Sequence, residues 1–205
     1  MKTTTHEKII QGALTALATN PLSSLDEIAD AVGVGRATLY RYFESRPVLM
    51  RALVIYSSEK MDAVTEPIFQ SDRPAGEKLE QLVRAIIPLG ASLKIAVFDP
   101  FCKFLPEYGA KVAEINEEMR QFAHEMKSEG VVAPEIPDAW VAASLEKLLF
   151  TAWEKIQSGD IATNDAPDLV LRTFLAGNGP SEYGYLKNRG RGEEPVTQNG
   201  KETVK

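Results

Sequence analysis

The chain of 205 residues is long enough to bury a substantial core, and with 44% hydrophobic and 25% charged residues it has the composition of an ordinary soluble protein. Its net charge of −6 is unevenly distributed, at +1 over residues 1–60 and −7 over residues 61–205. This distribution argues against a protein that coats nucleic acid without sequence preference. The single cysteine, Cys102, excludes an intramolecular disulfide. Neither a membrane span nor a secretory signal is visible, so we expect a cytoplasmic protein without a membrane partner.

The first predicted element is a helix that one of the threonines at positions 3–5 can cap. Its apolar residues recur at helical spacing and form one broad stripe, which should pack across the helices that follow. Asn20-Pro21 ends the helix and begins a short loop. The stripe consists of Ile9, Ile10, Ala13, Leu14, Leu17 and Ala18.

The stretch over residues 24–43 is typical of two short helices joined by a glycine turn, a helix-turn-helix. Ser24 and Glu27 have the spacing of a capping box, in which each side chain accepts a hydrogen bond from the other residue's backbone amide. Gly33 can adopt the left-handed conformation that ends a helix, and a second helix follows Gly35. The pattern leaves an outward face made of Arg36, Ala37, Thr38, Tyr40, Arg41 and Tyr42.

This outward face suits a DNA duplex, because arginine can bind guanine through two hydrogen bonds and hydroxyl groups can bind phosphates. A two-helix corner with solvated arginines would show the same spacing. The run GVGRATLYRYFESRPVL over residues 33–49, however, closely resembles the recognition helix and the following helix start of the tetracycline-repressor (TetR) family of bacterial transcription regulators. The resemblance implies a DNA-binding protein.

The resemblance also implies roles for single residues. By position, Arg36, Ala37 and Tyr40 would read bases, and Arg46 stands where the family has a lysine that contacts phosphate. Gly35 stands where the family usually has serine or another capping side chain, so that only its backbone amide is left for a phosphate. The full set of expected DNA contacts is Arg36, Ala37, Thr38, Tyr40, Arg41, Tyr42 and Arg46.

Beyond the head, the pattern predicts a body made of further helices. A long fourth helix, with Pro47 in its first turn, bridges head and body, and a later helix is expected to bend or open at Pro88. We therefore predict an all-α fold of about nine helices, with a three-helix helix-turn-helix head and a helical ligand-binding and dimerisation body. The expected divisions are a DNA-binding domain at 1–46, the body at 47–177 and a disordered tail at 178–205.

The last two predicted helices are apolar on more than one side and need cover. A second copy of the chain would supply it, and the resemblance implies pairing through these same helices. We therefore expect a homodimer on a pseudo-palindromic DNA operator. The residues assigned to the interface are Leu149, Trp153, Val170 and Phe174.

A high density of aromatic and thioether side chains in the body is typical of an apolar pocket. These side chains could instead simply fill the core. A pocket would take a small apolar or aromatic effector, with Lys94, Lys103 or His124 available for an anionic end. The candidate lining residues are Phe98, Phe101, Phe104, Tyr108, Met119, Phe122, Met126 and Trp140.

No catalytic motif is evident, because the sequence has neither a metal-ligand spacing around its two histidines nor a phosphate loop. We expect no enzyme activity, no cofactor and no metal. The function predicted from the sequence is a DNA-binding transcription regulator, most simply a repressor that a small effector releases from its operator. The alternative is a helical ligand-binding or protein-interaction module with little specific DNA binding.

Overall fold

The computed structural model describes residues 4–95 and 106–180, and within these ranges every regular element is helical. The predicted all-α class is confirmed. None of the helices in these ranges is long and apolar enough to cross a membrane. The elements are α1 (Thr5–Thr19), α2 (Leu25–Val32), α3 (Arg36–Tyr42), α4 (Arg46–Phe69), α5 (Ala75–Ile86), a 3₁₀ turn (Ile87–Leu89), α6 (Gly90–Leu93), α7 (Pro106–Ser128), α8 (Asp138–Gln157) and α9 (Ala166–Asn178).

Local signals in the sequence set the boundaries of the head helices. Ser24 and Glu27 form the predicted capping box at the start of α2, and Thr4 forms a second one with Glu7 at the start of α1. Gly33 ends α2 in the left-handed conformation, with a φ of 74°, which is strained for other residues. The chain then turns through Gly35, which precedes α3 without a side-chain cap.

The head has its own apolar core, to which the first half of α4 contributes. The predicted stripe of α1 is buried there, and Gly12 allows α1 to approach α2 so closely that a β-carbon on it would lie 2.6 Å from Val32. Because residues 49–54 of α4 complete this core, the head extends past the boundary predicted at residue 46. The core contains Ile9, Ile10, Ala13, Leu14, Leu17, Leu25, Ile28, Ala29, Leu39, Phe43, Leu49, Met50, Leu53, Val54 and Ile95.

A second core lies in the body between α5, α7, α8 and α9. The predicted opening at Pro88 is confirmed, because the helix ends at Ile86 and a 3₁₀ turn leads into α6. The short α6 lies against α1, α4 and α8 and so connects head and body. Lys94 completes this joint, since its ammonium donates to the carbonyl of Ala18 at 2.6 Å and lies 5.3 Å from the ring centre of Trp153.

The structure corrects the residues assigned to a dimer interface. Leu149, Trp153, Val170 and Phe174 are all buried within the single chain, so they present almost no surface to a second copy. They face inward because α8 and α9 pack on each other and on their neighbours through these sides. The sequence showed that both helices have apolar sides that must be buried. Much of that apolar surface is buried by other helices of the same chain.

The end of α9 is fixed in place by Asn178. Its carbonyl accepts from the amide of Ala133 at 2.8 Å, and its side chain donates to the carbonyl of Phe174 at 3.0 Å and to the hydroxyl of Ser144 at 3.3 Å. The tail predicted from residue 178 therefore begins with a residue that belongs to α9. Most of that segment, residues 181–205, lies outside the described residues.

Candidate DNA interface and effector pocket

The recognition helix α3 is attached to the head through one side and exposed on the other. Leu39 is fully buried, and Phe43, just past the end of α3, is almost fully buried. The opposite side has the outward face that the sequence predicts, and only Thr38 in it is partly covered. Tyr40 has 45% of its surface exposed, so its ring is free to contact another molecule.

The guanidinium of Arg36 lies at the start of α3 between two carboxylates of α2. It is 3.0 Å from Asp26 and 3.8 Å from Asp30. All three side chains remain well exposed, so the ion pairs contribute little to stability. They hold the guanidinium of Arg36 beside the surface of α2.

The end of α3 is packed against the start of α1 by a small group of rings. The ring centre of His6 lies 5.9 Å from that of Tyr42 and 5.4 Å from that of Phe43. Arg41 lies over the ring of Tyr42 at 5.4 Å. Tyr42 is therefore oriented by contacts on two sides while part of its surface stays open to solvent.

Arg46, expected to contact phosphate, has partners inside the head. Its guanidinium donates to the carbonyls of Pro21 and Ser23, with the Ser23 bond at 3.2 Å. These bonds tie the start of α4 to the loop between α1 and α2. No pattern in the sequence indicates this contact, because the residues involved are more than twenty positions apart.

In the body, a cavity of about 130 Å³ lies between α4, α5, α7 and α8. Its wall is mainly apolar, with polar groups from α4, α7 and α8. Within the described part of the chain, four helices contribute to the wall, each through one face. The lining residues are Ser58, Met61, Asp62, Thr65, Phe69, Leu82, Ile86, Val112, Ile115, Asn116, Glu118, Met119, Ala142, Leu145, Glu146 and Leu149.

Of the pocket residues predicted from sequence, Met119 lines this cavity. Phe122 and Met126 are buried in the body core and are not among its lining, and Trp140 is 65% exposed at the start of α8. Tyr108 belongs to α7, but its side chain is not described. The remaining three predictions, Phe98, Phe101 and Phe104, lie outside the described residues.

The lining residues that the sequence reasoning missed come from all four helices, and α4 is the one that the sequence did not connect with a pocket at all. Met61, Asp62, Thr65 and Phe69 follow one another at helical spacing on one face of this helix. The face mixes polar and apolar side chains, so it lacks the uniform stripe that marks a core position. Helical spacing could therefore have grouped these four residues on one face. A search for aromatic residues could not have grouped them, because Phe69 is the aromatic one among the four.

Two of the three basic residues that the sequence suggested for binding an anionic end of the ligand lie away from the cavity. Lys94 is engaged at the joint between head and body, and His124 lies on an exposed side of α7. Neither lines the cavity. The third, Lys103, is outside the described residues.

The charged groups of the cavity are carboxylates. Asp62 of α4 is 3.0 Å from the ammonium of Lys111, which lies on α7 and is also 3.2 Å from Glu114. Glu146 of α8 is 2.8 Å from Lys147. Glu118 forms no ion pair within the described residues.

Partial burial raises the pKa of Glu118 above its ordinary value. The nearby carboxylates of Glu114, Asp62 and Glu66 raise it further, and Lys111 opposes them. Glu118 is nevertheless an exposed residue, so its carboxylate remains in contact with solvent.

A compact head with an exposed recognition helix, joined to a helical body that encloses a cavity, defines a DNA-binding regulator of the helix-turn-helix class. Residues 9–53 match the family model of bacterial regulatory proteins of the tetR family. Over these residues, which form most of the head, the chain is similar to the regulators of this family.

Two named relatives extend over most of the chain. The HTH-type transcriptional repressor LfrR of Mycolicibacterium smegmatis is 25% identical over 173 residues, covering 84% of this chain and 89% of LfrR. The HTH-type transcriptional regulator NfxB of Pseudomonas aeruginosa is 22% identical over 173 residues, covering 83% of this chain and 92% of NfxB.

Solved structures show the same fold. LfrR in complex with proflavine superposes with a TM-score of 0.68 at 23% identity, covering 85% of this chain and 96% of LfrR. The ketosteroid transcriptional regulator KstR2 of Mycobacterium tuberculosis superposes with a TM-score of 0.69 at 16% identity, covering 88% of this chain and 98% of KstR2. The overlap includes the body as well as the head.

Proposed function

We propose that this regulator is a repressor that leaves its operator when a small, mainly apolar molecule enters the body cavity. The observation on which the proposal rests is the course of α4. Residues 49–54 of this helix belong to the head core, and residues 58–69 form one wall of the cavity. A displacement of that wall is therefore transmitted to the head by a single continuous helix. LfrR, a relative, is named a repressor and was solved with proflavine bound.

The size of the cavity determines whether a bound effector displaces the helices around it. An enclosed space of about 150 Å³ accommodates benzene, so the present cavity of about 130 Å³ has room for about one aromatic ring. We propose that a larger molecule enters by separating α4 from α7. The effector then binds the widened state better than the closed one, so it shifts the population of the protein toward the widened state. Effector binding and operator binding therefore lower each other's affinity by the same factor.

For the DNA complex we propose that the outward face of α3 enters the major groove. Arg36, Ala37 and Tyr40 would contact bases, and Thr38, Arg41 and Tyr42 would contact the phosphate backbone. Arg46 would act through guanidinium hydrogens not used by the loop carbonyls, so its contact with phosphate is secondary to its structural one. The domain division near residue 46 belongs to this proposal too, with the head completed by the first turns of α4.

The operator would be bound by a homodimer formed through the outer sides of α8 and α9. Trp140, Leu169 and Leu175 are exposed apolar residues on these helices. They take the place of the four buried residues considered from sequence. A symmetric pair of heads would contact half-sites about 10 base pairs or a multiple apart, on a pseudo-palindromic duplex.

Replacing Arg36 with alanine should reduce operator affinity by about 1–3 kcal/mol and relax the preference at one base pair of each half-site. In the wild type, Arg36 gives up its ion pairs with Asp26 and Asp30 when it binds a base, a cost that the alanine variant does not have. This cost offsets only a small part of the lost affinity, because all three side chains are exposed. The measurement is fluorescence anisotropy at one fixed salt concentration, with an operator selected from random duplexes by the wild-type protein.

Arg120→Ala is the matched control for that measurement. It removes the same charge from an exposed position of α7 in the body, where Arg120 pairs with Glu117. Operator affinity should remain that of the wild type. Equal losses for the two variants, or no loss for Arg36→Ala, would show that α3 does not read the operator through this residue.

Effector release is tested with the same operator and a panel of apolar aromatic compounds that includes proflavine. Compounds that raise the melting temperature should also weaken operator binding about fivefold or more. Ala142→Phe, which fills the cavity, should abolish this response while DNA binding persists, and Ala113→Phe at an exposed position of α7 should not. Stabilising compounds that leave operator affinity unchanged would favour the alternative, a ligand-binding module that does not signal to the head.

A further inference from the structure

The charged groups in the described lining of the body cavity are all of one sign. Apolar side chains from α4, α5, α7 and α8 surround it, and its charged lining groups in the described part of the chain are Asp62, Glu118 and Glu146. No lysine, arginine or histidine side chain is among that lining. An anionic molecule would thus enter without a partner for its charge, and would meet three carboxylates.

The three carboxylates differ in whether a cation already neutralises them. Asp62 is paired with Lys111 at 3.0 Å, and Glu146 with Lys147 at 2.8 Å. Glu118 has neither a hydrogen bond nor an ion pair within residues 4–95 and 106–180. It is the lining carboxylate whose charge is left for a molecule in the cavity.

The surroundings of Glu118 favour a cation beside it, although the residue is exposed to solvent. Burial and the carboxylates of Glu114, Asp62 and Glu66 raise its pKa, against the effect of Lys111 alone. A cation beside Glu118 would remove the repulsion among these carboxylates. Because Glu118 itself is exposed, the gain in affinity is that of an exposed ion pair, about a few-fold, and the apolar wall of the cavity holds the ligand in place to make it.

We infer that the effector is an apolar molecule with a single positive charge and that Glu118 is its counter-ion in the cavity. This inference rests on the proposed function, since it names the chemical class of ligand for the cavity that was assigned to the effector. It reverses the expectation from sequence of an anionic end met by Lys94, Lys103 or His124. Met61, Phe69 and Met119 supply the apolar and polarisable contacts on which a ring can lie.

The test compares two probes of nearly the same shape that differ in charge. Acridine is uncharged in mildly alkaline buffer, whereas 10-methylacridinium is a permanent cation. Fluorescence titration of the full chain at low ionic strength should give about threefold or more tighter binding of the cation. In Glu118→Gln the preference for the cation should disappear while acridine affinity stays the same. Glu117→Gln, which changes the preceding residue on α7 outside the cavity lining, should retain the wild-type preference.

Acridine binding as tightly as the cation to the wild type, or Glu117→Gln losing the preference as fully as Glu118→Gln, would overturn the inference. Operator release is measured in parallel, so that this proposal and the proposed function can fail separately. A neutral probe that binds tightly and releases the operator overturns the charge assignment and leaves the repressor mechanism standing. A cation that binds through Glu118 without releasing the operator supports the ligand class and contradicts the mechanism.

Discussion

Replacing Phe174 with alanine should lower the free energy of unfolding by about 3–5 kcal/mol. The ring is completely buried in the body core on the inner side of α9, so its removal leaves a cavity as well as a loss of apolar contacts. Urea denaturation at one fixed protein concentration measures the change, because a dimer's stability depends on concentration.

The neighbouring residue supplies the control. Leu175 lies on the outer side of α9 with 40% of its surface exposed, so Leu175→Ala should cost about 1 kcal/mol or less at a concentration where the chain stays in one oligomeric state. If Phe174→Ala were no more destabilising than Leu175→Ala, the inward orientation of α9 would be incorrect. Phe174 would then be available again for an interface between subunits.

Exchanging Gly90 for alanine should destabilise the protein by about 1–3 kcal/mol. A β-carbon at this position would lie 1.6 Å from an atom of the Trp153 ring, so either the ring or α6 has to move. Trp153 is nearly buried and lies under the ammonium of Lys94, which itself bonds to the end of α1. The displacement should therefore loosen the joint between head and body, which thermal unfolding can measure.

Gly109→Ala separates this clash from the general effect of a helical glycine. Gly109 lies in α7, and a β-carbon added there would have no neighbouring atom within 4 Å, so alanine should stabilise the protein by up to about 1 kcal/mol. The fluorescence of Trp153 is a second readout, seen alone once the exposed Trp140 is replaced by phenylalanine in all variants. An unshifted emission and unchanged melting temperature in Gly90→Ala would contradict the close packing of α6 on α8.

The sequence determined those features that depend on a few neighbouring residues. The capping box of Ser24 and Glu27 and the left-handed Gly33 each follow from local backbone chemistry. The outward position of the other α3 residues follows in the same way. Leu39 faces the head core, and helical spacing leaves the remaining residues on the opposite side. The resemblance over residues 33–49 pointed to the same family whose model matches residues 9–53.

Only the tertiary structure decided which apolar side faces which neighbour. Periodicity marks α8 and α9 as helices that need cover, but it cannot tell a partner subunit from the chain's own core, and Phe174 and Trp153 proved to be buried within the subunit. The cavity is built from residues 58–149 on four helices, so no short window of sequence contains it. Its charge was equally out of reach, because the lining carboxylates Asp62, Glu118 and Glu146 come from three different helices that meet only in the folded chain.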